Sequence, residues 1–249
     1  MFNFFAKEAP DTTGRFYITD SDFNHIRNVL RMKKGDEILV SFEGKSRLCE
    51  LEDFEDESVS ALIIDDDYQD TELPVKIHLF QGLPKADKME LIIQKCTELG
   101  VSEITPTEMS RCVVKLEEKK KKSKTERWQS IAESAAKQSK RSIIPTVNTP
   151  LSFKELLKKV SDFDLFLVPY ENEEGMKATK KALEEIKVGS KIGILIGPEG
   201  GFDEKEIEQA INTDAKVISL GKRILRTETA AITALSMCML YCETEFEEV

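Results

Sequence analysis

The chain has 249 residues, of which 40% are hydrophobic and 33% are charged, so it can form one large domain or two smaller ones. Its formal net charge of −10 argues against a protein that coats nucleic acid through a general positive field. Met1 to Ala6 is too short for a signal sequence, and no apolar run approaches the roughly 20 residues that cross a bilayer, so we expect a cytoplasmic protein.

The N-terminal part of the chain favours a small β-rich domain. The predicted elements are strands at Arg15–Thr19, Asp36–Phe42, Arg47–Phe54 and Ser58–Ile64, with a helix at Phe23–Leu30. The acidic and polar run from Asp65 to Glu72 is interpreted as a linker that leads to Pro74. We therefore expect two domains, which comprise residues 1–72 and 73–249.

After Pro74, predicted strands and helices alternate, which indicates an α/β fold with a mainly parallel sheet and helices on both of its faces. The predicted strands are Val75–Gln81, Glu103–Pro106, Leu165–Pro169, Ile192–Ile196 and Lys216–Leu220. Lys88–Leu99 carries one apolar stripe at helical spacing, and a final helix is predicted from Thr227 to about Tyr241. The run of lysines at Lys119–Lys122 is interpreted as a solvated, mobile face.

A glycine-rich turn follows the predicted strand at Ile192–Ile196, whose aliphatic residues suit a strand that is covered on both faces. Gly197-Pro198-Glu199-Gly200-Gly201 ends the strand, and Asp203 with Glu206 has the spacing of a helix capping box. The turn has neither the GK[ST] ending of a P-loop nor GxGxxG spacing. Because open α/β sheets hold ligands at the carboxyl ends of their strands, the turn is a candidate binding site, with a purely structural turn as the alternative.

A second turn, from Leu220 to Ala231, again leads from a strand through a glycine into a helix with small side chains. Two neighbouring strand ends of this kind would form a pocket for a flat ring such as adenine. Glu199 and Arg226 could act beside that pocket or form an ordinary ion pair, and Thr227 is interpreted mainly as a helix cap.

The five cysteines include no CxxC pair, and the chain has only two histidines. This composition favours reduced thiols, some of them in the core, and no metal site is expected.

The segments IGPEGGF and LGKRILRTETAAITAL resemble the second and third cofactor loops of SPOUT methyltransferases, and specifically those of the ribosomal RNA small-subunit methyltransferase E family. The likeness covers nearly the whole chain. It includes Val29-Leu30-Arg31-Met32, Lys88-Met89-Glu90, Glu98-Leu99-Gly100-Val101, Ile104-Thr105-Pro106 and Trp128-Gln129. The least family-like stretch is Tyr170 to Gly175.

The resemblance implies an N-terminal PUA-like RNA-binding β-barrel and a C-terminal domain with a deep trefoil knot. It implies a homodimer that binds S-adenosylmethionine in the knot and produces 3-methyluridine in the decoding region of 16S rRNA, on the assembled small ribosomal subunit. The cofactor positions that it implies are Leu167, Val168, Pro169, Ile196, Gly197, Pro198, Glu199, Gly200, Gly201, Leu220, Gly221, Ile224, Leu225, Arg226, Thr229 and Ala230.

Methylation of uridine N3 needs removal of the N3 proton and stabilisation of the charge that spreads onto the carbonyl oxygens. Arg226 is the predicted cation for this charge, and Glu199 is expected to orient that arginine or to accept the proton if burial raises its pKa. The target base must be unpaired or turned out, since pairing occupies N3. Expected phosphate contacts are Arg15, Arg27, Arg31, Arg111 and Lys115, with Lys33 and Lys34 equally consistent with solvated charges.

Three alternatives remain open from the sequence. The protein could be a SPOUT methyltransferase for another RNA, for example one that modifies a ribose 2′-oxygen of tRNA. It could also be a non-catalytic RNA-binding assembly factor, or a regulator that binds a small nucleotide.

Overall fold

The computed structural model describes residues 1–69, 71–170 and 175–246. The contacts divide the chain into two compact units, residues 1–72 with 136–144 and residues 73–135 with 145–249. Residues 136–144, which lie far along the chain, thus group with the N-terminal unit. The division of the chain at residue 72 into two domains stays a prediction.

The first unit is built on a five-stranded sheet with the strand order β1-β3-β4-β5-β2. The β1–β3 pair is parallel and the other pairs are antiparallel. Its elements are β1 (Asn3–Phe5), β2 (Arg15–Thr19), α1 (Asp20–Asn24), a π-helical turn (His25–Leu30), β3 (Glu37–Phe42), β4 (Lys45–Phe54) and β5 (Ser58–Gln69). Phe16, Ile26, Ile38 and Leu51 are completely buried in its core. The helix predicted at Phe23–Leu30 is therefore a short α-helix that continues as a π-helical turn.

The predicted linker at Asp65 to Glu72 is wrong over its first half, because β5 continues to Gln69. Asp65 pairs in register with Leu48 of β4. The Asp66 carboxylate lies 2.6 Å from Nε of Arg47 and 2.9 Å from Nζ of Lys45, so cations on the neighbouring strand compensate its charge. The acidic run is thus part of the sheet.

The second unit contains a seven-stranded parallel sheet in which β12, β10, β11, β6, β7 and β8 follow one another and β9 also pairs with β7. The strands are β6 (Lys76–Gly82), β7 (Glu103–Glu108), β8 (Thr146–Val147), β9 (Leu151–Ser152), β10 (Leu165–Pro169), β11 (Lys191–Ile196) and β12 (Lys216–Ile218). The helices are α2 (Lys88–Glu98), α3 (Glu118–Ser139), α4 (Phe153–Leu157), α5 (Met176–Leu183), α6 (Glu204–Ile211) and α7 (Thr227–Glu245), with a 3-10 turn at Val160–Asp162. The predicted α/β class with a parallel sheet is confirmed.

The centre of this sheet is β11, which pairs with β10 on one side and β6 on the other. Ile192, Ile194 and Leu195 have no exposed surface, which confirms the prediction of a strand covered on both faces. Helix α2 buries its predicted stripe, including Met89, Ile92 and Cys96, and it packs against α7. The pairing with β10 and β6 and the packing of α7 against β11 fix the position of this strand.

The predicted mobile face at Lys119–Lys122 is the beginning of α3. Nζ of Lys121 lies 3.2 Å from the Glu108 carboxylate at the end of β7, and it also pairs with Glu118. Lysine runs are compatible with helix, because a long unbranched side chain loses little rotamer freedom there. In the part of the chain that the structure describes, no helix is both long and apolar enough to cross a membrane. The trefoil knot stays a prediction.

Candidate cofactor site at the carboxyl edge of the parallel sheet

The turn from Gly197 to Gly201 lies against the end of β6. A Cβ atom on Gly82 would lie 2.6 Å from the nitrogen of Pro198 and 2.7 Å from its Cδ, so only glycine allows this approach. The turn is closed by a 2.9 Å hydrogen bond from the amide of Gly201 to the carbonyl of Pro198, and Gly201 has a φ of +69°. Gly82 is therefore part of the construction of the turn, although no sequence motif marks it.

Thr227, the first residue of α7, joins the turn to β6. Its hydroxyl donates a 2.6 Å hydrogen bond to the carbonyl of Gly197, and it accepts a 2.9 Å hydrogen bond from Nε2 of Gln81. The prediction that Thr227 caps the helix is wrong, because Arg226 occupies the N-cap position and Thr227 is the first helical residue. Thr227 instead holds three chain segments together inside the protein, where it is 5% exposed.

The side-chain amide of Gln81 is completely buried. Its Nε2 also donates a 2.9 Å hydrogen bond to the carbonyl of Gly82, and its Oε1 has no hydrogen-bond partner among the described residues. Exchange of the two amide atoms would put Oε1 against the Gly82 carbonyl, so the hydrogen bonds define the orientation. This edge of the sheet thus contains a buried acceptor that is available to a donor.

Glu199 lies on the outer side of the turn and binds the N-terminal end of α2. Its Oε1 accepts a 2.9 Å hydrogen bond from the amide of Lys85 and lies 3.1 Å from Nζ of Lys88. Burial alone raises the pKa of the Glu199 carboxyl, but the amides of Lys85 and Glu199 and the Lys88 ammonium outweigh it and lower the pKa below its usual range. Glu199 is consequently ionised at neutral pH and is a weak base.

Lys88 also faces a second carboxylate, that of Glu228 in the first turn of α7. Nζ of Lys88 lies 3.6 Å from Oε2 of Glu228, and this oxygen is buried without a hydrogen-bond partner in the part of the chain that the structure describes. The Lys88 and Glu228 side chains are 30% and 15% exposed. Glu199, Lys88 and Glu228 together form an ion cluster, named the edge cluster below.

Arg111 contacts the turn from the loop after β7. Its Nη1 donates a 3.3 Å hydrogen bond to the carbonyl of Gly200, and its Nη2 lies 3.8 Å from the Asp203 carboxylate. A Cβ atom on Gly200 would lie 3.0 Å from Cβ of Arg111, so a larger residue there would displace Arg111. Asp203 and Glu206 form the predicted capping box of α6, which is confirmed.

A strand separates the two turns that sequence reasoning placed on neighbouring strands. β10 lies between β11 and β12, with Leu167 in register with both Ile194 and Lys216. The expectation of adjacent strand ends is therefore wrong, because neighbours along the chain need not be neighbours in the sheet. The two segments still meet, since the Thr227 hydroxyl reaches Gly197 from the helix.

Two family models match the chain. The model described as an RNA methyltransferase domain matches residues 71–239, and the one described as an RNA methyltransferase PUA domain matches residues 18–64. The ribosomal RNA small subunit methyltransferase E of Bacillus subtilis is 44% identical over 235 residues, which cover 93% of this chain and 92% of that protein. The chain belongs to the ribosomal RNA small subunit methyltransferase E family. The suspected family and the PUA-like first domain are thus confirmed.

Solved structures of similar proteins agree with membership of the methyltransferase E family. The ribosomal RNA small subunit methyltransferase E of Neisseria gonorrhoeae, bound to S-adenosyl methionine, has a TM-score of 0.80 and 32% identity, with 95% of each chain covered. A putative methyltransferase from Legionella pneumophila, in complex with the same cofactor, has a TM-score of 0.80 and 29% identity, with 96% of each chain covered.

The cofactor and catalytic positions that the family resemblance implies differ in exposure. Leu167 and Val168 have no exposed surface, whereas Ile224 is 98% exposed. Arg226 is exposed at the N-cap of α7, and the hydrogen bonds and ion pair of the Glu199 carboxylate go to Lys85 and Lys88. Residues 171–174 of the stretch after the first loop lie outside the described residues.

Sequence reasoning assigns no site role to Gln81, Gly82 or Lys88, and it includes Glu228 only as a member of the third cofactor loop, without a role of its own. Lys88 belonged only to a family-like segment, and Gln81 has no motif around it. A buried polar residue next to a glycine at a strand end is a signal that could have found Gln81, since such a residue needs a hydrogen-bond partner.

The positions expected to contact RNA also differ from one another. In the first unit, Nε of Arg15 lies 2.6 Å from the Glu52 carboxylate, which raises the pKa of Arg15 and holds its side chain. Arg27 and Arg31 are exposed, with the Arg27 guanidinium 5.6 Å from the ring centre of Phe23. In the second unit, Lys115 is exposed and Arg111 contacts Gly200.

The predicted reduced, partly buried thiols are confirmed. All five cysteines are free and buried. Within the ranges that the structure describes, no three histidine, cysteine or acidic side chains are arranged to hold a metal ion.

Proposed function

We propose that the protein transfers a methyl group from S-adenosylmethionine to N3 of a uridine in the decoding region of 16S rRNA, on the assembled small ribosomal subunit. The observation that carries the proposal is the three-segment junction at Thr227, which gives a member of this family a preformed turn at the carboxyl edge of its sheet. Substrates of this kind are found in the cytoplasm, which is the proposed location.

The residues at this edge fit S-adenosylmethionine. Gln81 Oε1 and Glu228 Oε2 are buried acceptors without hydrogen-bond partners, and the cofactor offers an ammonium, an adenine amine and ribose hydroxyls as donors. Similar proteins from Neisseria gonorrhoeae and Legionella pneumophila bind this cofactor. The proposed binding segments are Leu167–Pro169, Ile196–Gly201 and Leu220–Ala230. The cofactor supplies an activated methyl group on a positively charged sulfur.

Arg226 is the proposed cation for the chemical step. As N3 of uridine loses its proton, negative charge spreads onto the two carbonyl oxygens, and a guanidinium that donates to one of them lowers the barrier. This role is supported by the exposed position of Arg226 at the N-cap of α7, one residue before Thr227. The weak basicity of Glu199 argues against a role as proton acceptor. We therefore propose that Glu199 is a positioning residue and that solvent accepts the N3 proton.

RNA binding is proposed for Arg27 and Arg31 in the first unit and for Lys115 in the second, because these cations are exposed. The ion pair of Arg15 with Glu52 and the contact of Arg111 with Gly200 make these two arginines weaker candidates for phosphate. The target uridine is turned out of its pairing partner, since N3 is otherwise occupied.

A homodimer is proposed on the basis of α7. The helix buries Ala231, Leu235 and Cys238 on one side, while Leu240 is 60% exposed. Leu91, on the α2 helix that packs against α7, is 42% exposed. A second copy would cover these apolar side chains, and Leu240→Glu should then shift the mass measured by light scattering from dimer to monomer.

The function is tested with labelled S-adenosylmethionine and small ribosomal subunits from a strain that lacks the gene. We expect label on N3 of one uridine of 16S rRNA. Arg226→Gln should lower the transfer rate by about 100-fold or more, and Lys205→Gln, which removes an exposed cation outside the proposed binding segments, should change it less than about threefold. Label on a ribose, on another base or on no RNA would contradict the proposal.

A further inference from the structure

The edge cluster contains more negative than positive charge. Two carboxylates, Glu199 and Glu228, share the single ammonium of Lys88. Nζ lies nearer to Glu199, at 3.1 Å, than to Glu228, at 3.6 Å. Glu199 also accepts a hydrogen bond from the amide of Lys85. The negative charge of Glu228 is therefore less completely compensated than that of Glu199.

The less compensated charge of Glu228 is concentrated at its Oε2 atom. Among the residues that the structure describes, Oε2 of Glu228 is buried without a hydrogen-bond partner, and it lies 3.6 Å from Nζ of Lys88. A buried carboxylate oxygen in this condition is destabilising, and a cation brought near it by a ligand would relieve the penalty. Glu228 follows Thr227, whose hydroxyl binds the carbonyl of Gly197, so this atom belongs to the edge at which the cofactor is proposed to bind.

The cofactor and its product differ in the one property to which such a site responds. In methyl transfer the sulfur–carbon bond breaks, a carbon–nitrogen bond forms at N3, and the bonding electron pair stays on sulfur. S-adenosylmethionine has a positively charged sulfonium, whereas S-adenosylhomocysteine has an uncharged thioether and lacks only the methyl group. The net negative charge of the edge cluster attracts the sulfonium but not the thioether, so it distinguishes two compounds of nearly the same shape.

We propose that Glu228 is a specificity-determining residue, whose carboxylate makes the site prefer the sulfonium of S-adenosylmethionine over the thioether of S-adenosylhomocysteine. The inference rests on the proposed function, because it requires that the protein bind this cofactor. Glu228 would thereby favour release of the product, since loss of the positive charge during the reaction removes the attraction.

The test is calorimetric titration of the full-length protein with each of the two compounds. For Glu228→Gln, which keeps the size of the side chain, we expect S-adenosylmethionine to bind about tenfold more weakly and S-adenosylhomocysteine to bind within about twofold of wild type. Glu243→Gln is the matched control, because Glu243 is exposed in the same helix, about 22 Å further along its axis, and its loss changes the net charge equally.

Lys88→Gln is the second variant, and it should change the preference for S-adenosylmethionine in the opposite direction to Glu228→Gln. Removal of the ammonium leaves two carboxylates, so the preference for S-adenosylmethionine should increase several-fold. An unchanged or smaller preference in Lys88→Gln would overturn the inference even if Glu228→Gln failed to fold. Equal weakening of both compounds in Glu228→Gln would also overturn it, since that result indicates a structural role.

Failure of the proposed function gives a different result. A wild-type protein that binds neither compound would contradict the proposed function itself. A wild-type protein that binds both compounds equally would leave cofactor binding intact and overturn only the inference about Glu228.

Discussion

The two ends of the parallel sheet differ in how completely their polar side chains are hydrogen-bonded. Near the amino ends of β6 and β7, Nε2 of His78 lies 2.7 Å from the Thr105 hydroxyl, and Asn148 donates to both Thr105 Oγ1 and Glu103 Oε2. At the carboxyl ends, Gln81 Oε1 and Glu228 Oε2 have no hydrogen-bond partner. Both ends of the sheet are polar, but among the described residues the unsatisfied acceptors Gln81 Oε1 and Glu228 Oε2 lie at the carboxyl end, where a ligand can use them.

The close approach at the carboxyl end gives the largest expected effect. Gly82→Ala would place Cβ 2.6 Å from the backbone nitrogen of Pro198, and backbone atoms cannot move aside as a side-chain tip can. We expect the free energy of unfolding in urea to fall by about 3 kcal/mol. Gly197→Ala is the control, because its Cβ would meet the Phe202 ring at 3.2 Å, and it should cost less than about 1 kcal/mol. Equal losses would mean that β6 and the turn are not closely packed.

His78, near the amino ends of β6 and β7, should make the stability of the fold depend on pH. Burial lowers the pKa of His78 to about 4, with the Lys159 charge in the same direction and Glu103 opposing both. Between the ordinary histidine pKa of 6.5 and about 4, the folded protein therefore binds fewer protons than the unfolded chain, so the free energy of unfolding falls as the pH is lowered through this range. Between pH 7 and pH 5, His78 should lower the free energy of unfolding by about 2 kcal/mol.

His78→Gln provides the matched control for this pH dependence. The glutamine amide can still bond to Thr105 but does not titrate in this range. Unfolding free energies of wild type and His78→Gln should converge as the pH is lowered from 7 to 5. Parallel curves would show that His78 is already able to accept a proton in the folded protein.

Thr227 gives the smallest of the three effects. Thr227→Val removes the hydroxyl that binds Gly197 and Gln81, and it should lower the free energy of unfolding by about 1 to 2 kcal/mol. Thr227→Ser retains the hydroxyl and should stay within about 0.5 kcal/mol of wild type. We also expect weaker binding of S-adenosylmethionine by Thr227→Val in calorimetry. Equal behaviour of the valine and serine variants would exclude the hydroxyl as the connection.

Much of the second unit could be predicted from local patterns. The strand at Leu165–Pro169 has the predicted limits, and β11 is buried on both faces as expected. Both features follow from apolar runs that a turn interrupts, which is information contained in a few consecutive residues.

Contacts between distant residues could not be predicted in the same way. The sequence around Asp66 resembles a linker until Lys45 and Arg47 are brought beside it on β4. Thr227 resembles a helix cap because caps are local, whereas its partners Gln81 and Gly197 are 146 and 30 residues away. Lys88 and Glu228 become a pair only when α2 packs against α7. The family resemblance supplies a predicted location for the site but not these connections.

The burial of every cysteine makes this chain suitable for fluorescent labelling. Burial raises the pKa of Cys49 and of Cys238 to about 12, so their thiols react slowly with maleimides in the folded protein. A cysteine introduced at position 224, where the isoleucine is 98% exposed, would then take up the dye almost alone. The dye would report directly on molecules that arrive at the loop before α7, with the native cysteines left in place.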